Sequence, residues 1–232
     1  MSFYGTRFKR LVFLVFMLAP LSFPLALTYA ADEPAVAPIQ KEVADQTATP
    51  KAAAKTTLEN LQTAFNGESN AHARYLAFAT KADQEGFKAV ASLFRAAAAA
   101  EDIHAKRHAK VIRKIGGSPV ADIQKPDVKT TKENLEAAIK GETYERDVMY
   151  PEFLMQAKLE NNRRAAKAFR FALSAEAEHA KLYAEALAAM DAWKDAPKTF
   201  YVCNECGFTT IVLPDPRCPI CGNLKKNFLQ IS

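Results

Sequence analysis

The sequence predicts an all-α four-helix bundle followed by a small cysteine-built domain, and three observations carry that reading. Apolar residues recur every three and four positions through long Ala-, Leu-, Glu- and Lys-rich runs between about Thr56 and Trp193. Within that stretch one phrase occurs twice. Phe94-Arg95 leads into Glu101-x-x-His104-Ala105-Lys106, and Phe169-Arg170 leads into Glu176-x-x-His179-Ala180-Lys181, 75 residues later. All four cysteines fall near the end of the chain, as Cys203-x-x-Cys206-Gly207 and Cys218-Pro219-x-Cys221-Gly222.

In chain order, residues 1–30 are expected to be an export signal. Arg7, Lys9 and Arg10 form a basic start, Leu11 to Leu27 is almost wholly apolar, and Thr28-Tyr29-Ala30 offers small residues for cleavage. About 20 apolar residues can also span a bilayer, so an uncleaved membrane anchor is the alternative. Pro20 and Pro24 weaken a continuous helix and the small residues favour cleavage, with a periplasmic destination. Residues 31–55, rich in Ala, Pro, Thr and Lys with no apolar period, read as a flexible linker. The formal charge of +5 falls to +2 once Arg7, Lys9 and Arg10 are set aside, so nothing calls for a nucleic-acid partner.

Four helices are expected at about 56–85, 87–115, 129–160 and 163–192, forming a domain over 56–193. Gly86, the Gly116-Gly117-Ser118-Pro119 break and Asn161-Asn162 separate them. The middle break is long enough for a crossover. A second shared phrase precedes each copy of the first. Glu59-Asn60-Leu61 runs to Gly67-Glu68, and Glu133-Asn134-Leu135 runs to Gly141-Glu142, 74 residues apart. Each repeat therefore holds one lone Glu and one Glu-x-x-His.

Residues three apart on a helix share a face, so Glu101 with His104, and Glu176 with His179, can reach inward together. One Glu from each of two helices plus Glu-x-x-His from each of the other two is the ligand set of ferritin-like di-metal bundles. The expected ligands are Glu68, Glu101, His104, Glu142, Glu176 and His179. Glu145, one turn after Glu142, is a seventh. The matching position in the first repeat is Ala71, so the symmetry breaks at one ligand. A lone Glu on such a helix reads as solvated surface; recurrence beside His in register singles these out.

Five buried carboxylates need neutralising charge. Two ferrous ions bring +4 against them and two ferric ions +6, and carboxylate and imidazole donors suit iron or manganese. His72 and His108 each lie a turn from a ligand without a counterpart in the other repeat, which makes them structural or at most supports of a ligand. The four cysteines suit tetrahedral iron or zinc. Two disulfides are the alternative in an exported chain, disfavoured by the Cys-x-x-Cys spacing.

On these motifs residues 56–232 resemble the rubrerythrins. The phrases that carry the likeness are Gly67-Glu68-Ser69, Glu101-Asp102-Ile103-His104, Gly141-Glu142-Thr143-Tyr144-Glu145, Glu176-Ala177-Glu178-His179 and the two cysteine pairs. The resemblance implies a ferritin-like four-helix bundle with two irons, joined to a rubredoxin-like domain, here 198–232, with one iron in its four cysteines. It implies bridging roles for Glu101 and Glu176 and terminal roles for Glu68, Glu142 and Glu145. It also implies one iron moving between Glu145 and His104 with redox state, and Tyr75 and Tyr150 beside the cluster.

The implied activity is reduction of hydrogen peroxide to water. The implied assembly is a homodimer in which one subunit's cysteine domain lies near the other's di-iron site. Export would separate the protein from nicotinamide-linked donors, so a periplasmic cytochrome or a membrane-linked carrier is the expected electron donor. The alternatives are a ferroxidase, oxidase or iron-handling protein, and an electron-transfer or zinc-stabilised binding module.

Overall fold

The computed structural model describes residues 55–232. The expected export signal at 1–30, and the expected linker as far as residue 54, lie outside the described residues. Among the described residues no helix is long and apolar enough to cross a membrane. The helices are α1 (Thr57–Gln84), α2 (Lys88–Lys114), α3 (Thr131–Tyr144), α4 (Tyr150–Leu159) and α5 (Arg163–Ala188).

The first shared phrase is a folding signal. Thr56 and Thr130 cap α1 and α3 in matching capping boxes closed by Glu59 and Glu133. Each helix start is also tied to the end of the opposite hairpin. The Thr57 N–H donates to Glu160 at 3.0 Å and the Thr131 N–H to Glu85 at 2.8 Å. The crossover between α2 and α3 lies along α1, where Asn66 and Asn70 accept from the backbone of Asp122 and Gln124, each at 2.8 Å.

The expected continuous helix over 129–160 is interrupted. Between α3 and α4 runs a π-helical turn, Glu145–Met149, in which the Tyr150 N–H reaches back five residues to the Glu145 carbonyl. Pro151 follows immediately; it has no N–H to give and its ring crowds the preceding turn, and a wider turn relieves that crowding. The repeat spacing carries the same event. It is 74 residues before this turn and 75 after it, so the π turn absorbs a one-residue insertion. The last helix ends at Ala188, and a 3₁₀ turn (Met190–Trp193) completes the expected span.

Packing divides the bundle into two apolar layers. One holds Tyr75, Phe78, Leu93, Phe94, Leu135 and Tyr183; the other holds Leu61, Ile112, Tyr150, Phe153, Ala168 and Phe169. Along every long helix the buried residues read apolar, then charged, then apolar. The charged stretch carries the expected metal ligands. Phe94 and Phe169, the leading residues of the repeated phrase, anchor one layer each. Phe94 sits 5.2 Å from Tyr183 and 5.4 Å from Phe78, and Phe169 sits 5.5 Å from Phe153.

The C-terminal part is a three-stranded antiparallel sheet, ordered β2 (Thr209–Thr210), β1 (Phe200–Cys203), β3 (Phe228–Ile231). Two matching knuckles close on it. In each, a glycine at φ +76 donates its N–H to the carbonyl of the first cysteine, Gly207 to Cys203 at 2.9 Å and Gly222 to Cys218 at 3.0 Å. Trimming Phe94 to Ala is expected to destabilise the bundle by about 3–5 kcal/mol, read as a lowered midpoint in urea unfolding with the cysteine-domain absorbance unchanged before the transition.

Candidate metal centres

Each long helix supplies one or two side chains to the charged layer. Glu68 from α1, Glu101 and His104 from α2, and Glu176 from α5 form one group. Glu101, Glu142 from α3, Glu176 and His179 form the other, and the ligand atoms within each group lie within 4.8 Å of one another. Glu101 and Glu176 belong to both. All six residues are buried. Glu145, at the head of the π turn, is half-buried and belongs to neither group. It still lies close enough to Glu68 and Glu142 for charge repulsion to be felt by all three.

The donor set fits metal ions. Glu68 Oε2, Glu101 Oε1, Glu142 Oε2, both carboxylate oxygens of Glu176 and His179 Nδ1 are buried without a hydrogen-bond partner. Buried polar atoms are normally paired, so this many orphans in one place mark a site built for cations. Both imidazoles turn Nδ1 inward. His104 Nδ1 lies 3.0 Å from Glu101 and 3.1 Å from Glu176; His179 Nδ1 lies 3.0 Å from Glu176 and 3.3 Å from Glu101.

Without metal, protons carry the missing positive charge. Burial and the neighbouring carboxylates push Glu68 and Glu145 well above the usual range. Burial and the charge of Glu101 raise Glu142 to about 7. Burial alone would lower His104, but Glu176 and Glu101 outweigh it and lift it to about 10. His179 is lifted in the same way, chiefly by Glu142 against its burial. For Glu101 the burial penalty is overcome by the hydrogen bond with His104 and the nearby charge of His179, which hold it well below its ordinary value.

Tyr75 and Tyr150 tie the layer together crosswise. Tyr75, on the helix of Glu68, donates to Glu142 at 2.6 Å, and Tyr150, beyond Glu142, donates to Glu68. Tyr75 follows its own glutamate by seven residues and Tyr150 by eight. The π turn takes up the difference. His108, 3.1 Å from the Tyr150 hydroxyl, is kept neutral, lowered to about 3 by burial and the nearby charge of His104. It therefore supports Glu68 through Tyr150, the secondary role open to it on spacing. His72 does not reach the cluster; its Nδ1 bonds the Ala98 carbonyl at 2.7 Å.

The four cysteine sulfurs also gather within 4.8 Å of one another, with Cys203–Cys221 and Cys206–Cys218 each at 3.6 Å. A tetrahedron with metal–sulfur bonds of about 2.3 Å has edges of about 3.8 Å. The thiols are free, so the disulfide alternative is not the state found.

The cysteine domain docks on the bundle of its own chain. Phe171 of α5 packs with Cys203, Cys206 and Cys218. Arg107 lies over the Phe171 ring at 4.9 Å and pairs with Glu205 at 2.8 Å. Both metal-facing histidines are held from this side. His104 Nε2 donates to the Cys206 carbonyl at 3.0 Å, and His179 Nε2 bonds Thr209 Oγ1 at 3.0 Å. Gly207 permits the approach, because a Cβ there would collide with the His104 ring. Sequence reasoning missed Arg107, Phe171 and Thr209, which carry no periodic or spacing signal. It read Gly207 as a knuckle residue only.

The rubrerythrin family model matches residues 59–187. Rubrerythrin-2 of Clostridium acetobutylicum is 37% identical over 74% of this chain and 95% of its own length. Nigerythrin of Nitratidesulfovibrio vulgaris is 38% identical over 77% of this chain and 88% of its own. Among solved structures, fully reduced, all-ferrous nigerythrin superposes with a TM-score of 0.71 at 35% identity, covering 81% of this chain and 91% of that one. A bacterioferritin of Mycobacterium tuberculosis shares the bundle fold, with a TM-score of 0.54 at 22% identity over 59% of this chain and 86% of that one. The family carries a di-iron site and an iron in four cysteines, matching the two kinds of group found here.

Two outcomes follow from this geometry. Metal at His104 must displace a proton that the imidazole holds until about pH 10, so ferrous binding to metal-free protein is expected to release protons at neutral pH. Apparent affinity should then rise with pH and level off above about 10, as titration calorimetry in buffers of different ionisation enthalpy would show. Gly207→Ala, whose Cβ would meet the His104 ring, should lower the ferrous affinity of the bundle site by about tenfold or more, measured by titration calorimetry; an unchanged affinity would show that the close approach is dispensable.

Proposed function

The chain belongs to the rubrerythrin family, and on that premise we propose that it reduces hydrogen peroxide, with two protons and two electrons, to two molecules of water. Family membership makes it a di-iron protein of oxidative-stress defence; peroxide as the substrate is the finer reading. Glu101 and Glu176 would serve both metal ions, because both metal groups share them. Glu68 and His104 would serve one metal and Glu142 and His179 the other, with Glu145, outside both groups but near Glu68 and Glu142, as a further carboxylate. Cys203, Cys206, Cys218 and Cys221 hold the single iron. Bound iron supplies the redox chemistry, two electrons from the pair and one at a time from the cysteine centre.

The observation that carries this reading is the docking. One chain places a one-electron centre in hydrogen-bond contact with both histidines of a two-metal centre, and ferroxidase chemistry does not require that contact. The remaining residues set conditions. Burial raises Tyr75 and Tyr150 well above their ordinary range, so both keep their protons and orient Glu142 and Glu68 as neutral donors. The apolar layers on either side keep bulk water from the charged layer, which strengthens every polar contact inside it. In this reading residues 1–30 direct the protein to the periplasm, and a periplasmic cytochrome or membrane-linked carrier supplies electrons. Homodimerisation is compatible with it, while electron delivery uses each chain's own cysteine domain.

The test is anaerobic. The fully reduced, iron-loaded protein receives one equivalent of hydrogen peroxide while the ferric–thiolate absorbance is followed. Prompt return of the band, much faster than with dissolved oxygen, supports the proposal. Return no faster with peroxide than with oxygen points to a ferroxidase, and no band in any state points to zinc among the cysteines. Glu145→Ala should fold and load metal yet slow the peroxide-driven return by about tenfold or more.

A further inference from the structure

The geometry points to Thr209 as a positioning residue that fixes the second metal-ligand histidine and gives it its own connection to the cysteine domain. This rests on the di-iron reading above. The two imidazoles present the same face inward and differ only behind. His104 Nε2 meets a carbonyl, that of Cys206, at 3.0 Å. A carbonyl can only accept, so the proton must sit on Nε2 and Nδ1 is left for a metal. His179 Nε2 meets a hydroxyl, Thr209 Oγ1, at 3.0 Å. A hydroxyl can accept or donate, and by itself would leave the tautomer open.

The ambiguity is removed one bond further on. Thr209 Oγ1 donates to the Gly207 carbonyl at 3.0 Å. With its own proton committed there, the hydroxyl presents a lone pair to His179, Nε2 must carry hydrogen, and Nδ1 faces Glu176, Glu101 and Glu142. Thr209 is fully buried, so water cannot substitute. Both histidines thus hang from one four-residue stretch of the cysteine domain, Cys206 to Thr209, His104 directly and His179 through a side chain. A metal ligand's outer hydrogen bond sets its tautomer, orientation and basicity. The symmetry of the bundle is therefore broken from outside as well as by Glu145.

Thr209→Val keeps the shape and removes the hydroxyl, and Thr209→Ser keeps the hydroxyl. Both variants would be loaded with ⁵⁷Fe. In the Val variant, the Mössbauer doublet of one bundle iron should change, or that iron should be lost, while the other bundle iron and the cysteine-bound iron match the parent. Peroxide-driven return of the ferric–thiolate band should slow several-fold, and the Ser variant should restore both readings. Unchanged doublets in the Val variant, or a Ser variant that behaves like Val, would overturn the proposal. If the parent shows no peroxide-driven return, the peroxide reading fails, while the doublets still decide the role of Thr209.

Discussion

Mutual repulsion among buried carboxylates is the constraint on which the rest of this structure depends. Glu68, Glu101, Glu142 and Glu176 are buried in the middle of a bundle, with Glu145 half-buried beside them. Such a layer survives only with positive charge inside it. Metal-free, the chain answers with protons: His104 and His179 are held charged and Glu68, Glu142 and Glu145 are pushed toward the neutral form. Metal ions replace those protons at the same nitrogens and oxygens. The apolar layers above and below then serve as walls, and their large aromatic residues, Phe94 and Phe169, stand at matching places because the two halves of the bundle repeat.

The same constraint explains how the repeat departs from itself. Crosswise bonds from Tyr75 to Glu142 and from Tyr150 to Glu68 demand that each tyrosine reach the opposite glutamate. The second half carries one residue more than the first between its glutamate and its tyrosine. A regular helix would rotate Tyr150 by about 100° away from that bond. The π turn at Glu145–Met149 takes up the residue, keeps Tyr150 in register and leaves Glu145 at the edge of the cluster. Glu145 stands where the first repeat has Ala71, and the inserted residue is taken up beside it without disturbing the layer beyond.

The cysteine domain completes the charged layer as well as approaching it. Its first knuckle offers the Cys206 carbonyl and the Thr209 hydroxyl to the outer nitrogens of the two histidines. Arg107 and Phe171 hold that knuckle in place through an ion pair, a ring face and contact with the cysteines. The two groups of metal-binding residues are therefore joined by short polar contacts within one chain.

The sequence by itself determined the bundle, the six symmetric residues that gather in its charged layer and the four-cysteine group. The reason is periodicity: a ligand on a helix must recur at three- or four-residue intervals, and a repeat prints that spacing twice. Glu145 was legible as a departure from the repeat, and the extra residue was present as the change in spacing from 74 to 75. The π turn that absorbs it was not legible, because a one-residue insertion can be taken up at several places and only packing selects one. Tertiary structure alone decided the partners of His104 and His179 behind the metals. Those partners, a backbone carbonyl and one threonine hydroxyl, come from a segment 30 residues beyond His179 in the case of Thr209. No local pattern encodes this docking; the fit of Gly207 against the His104 ring, and of Phe171 against the cysteines, exists only once both domains are folded.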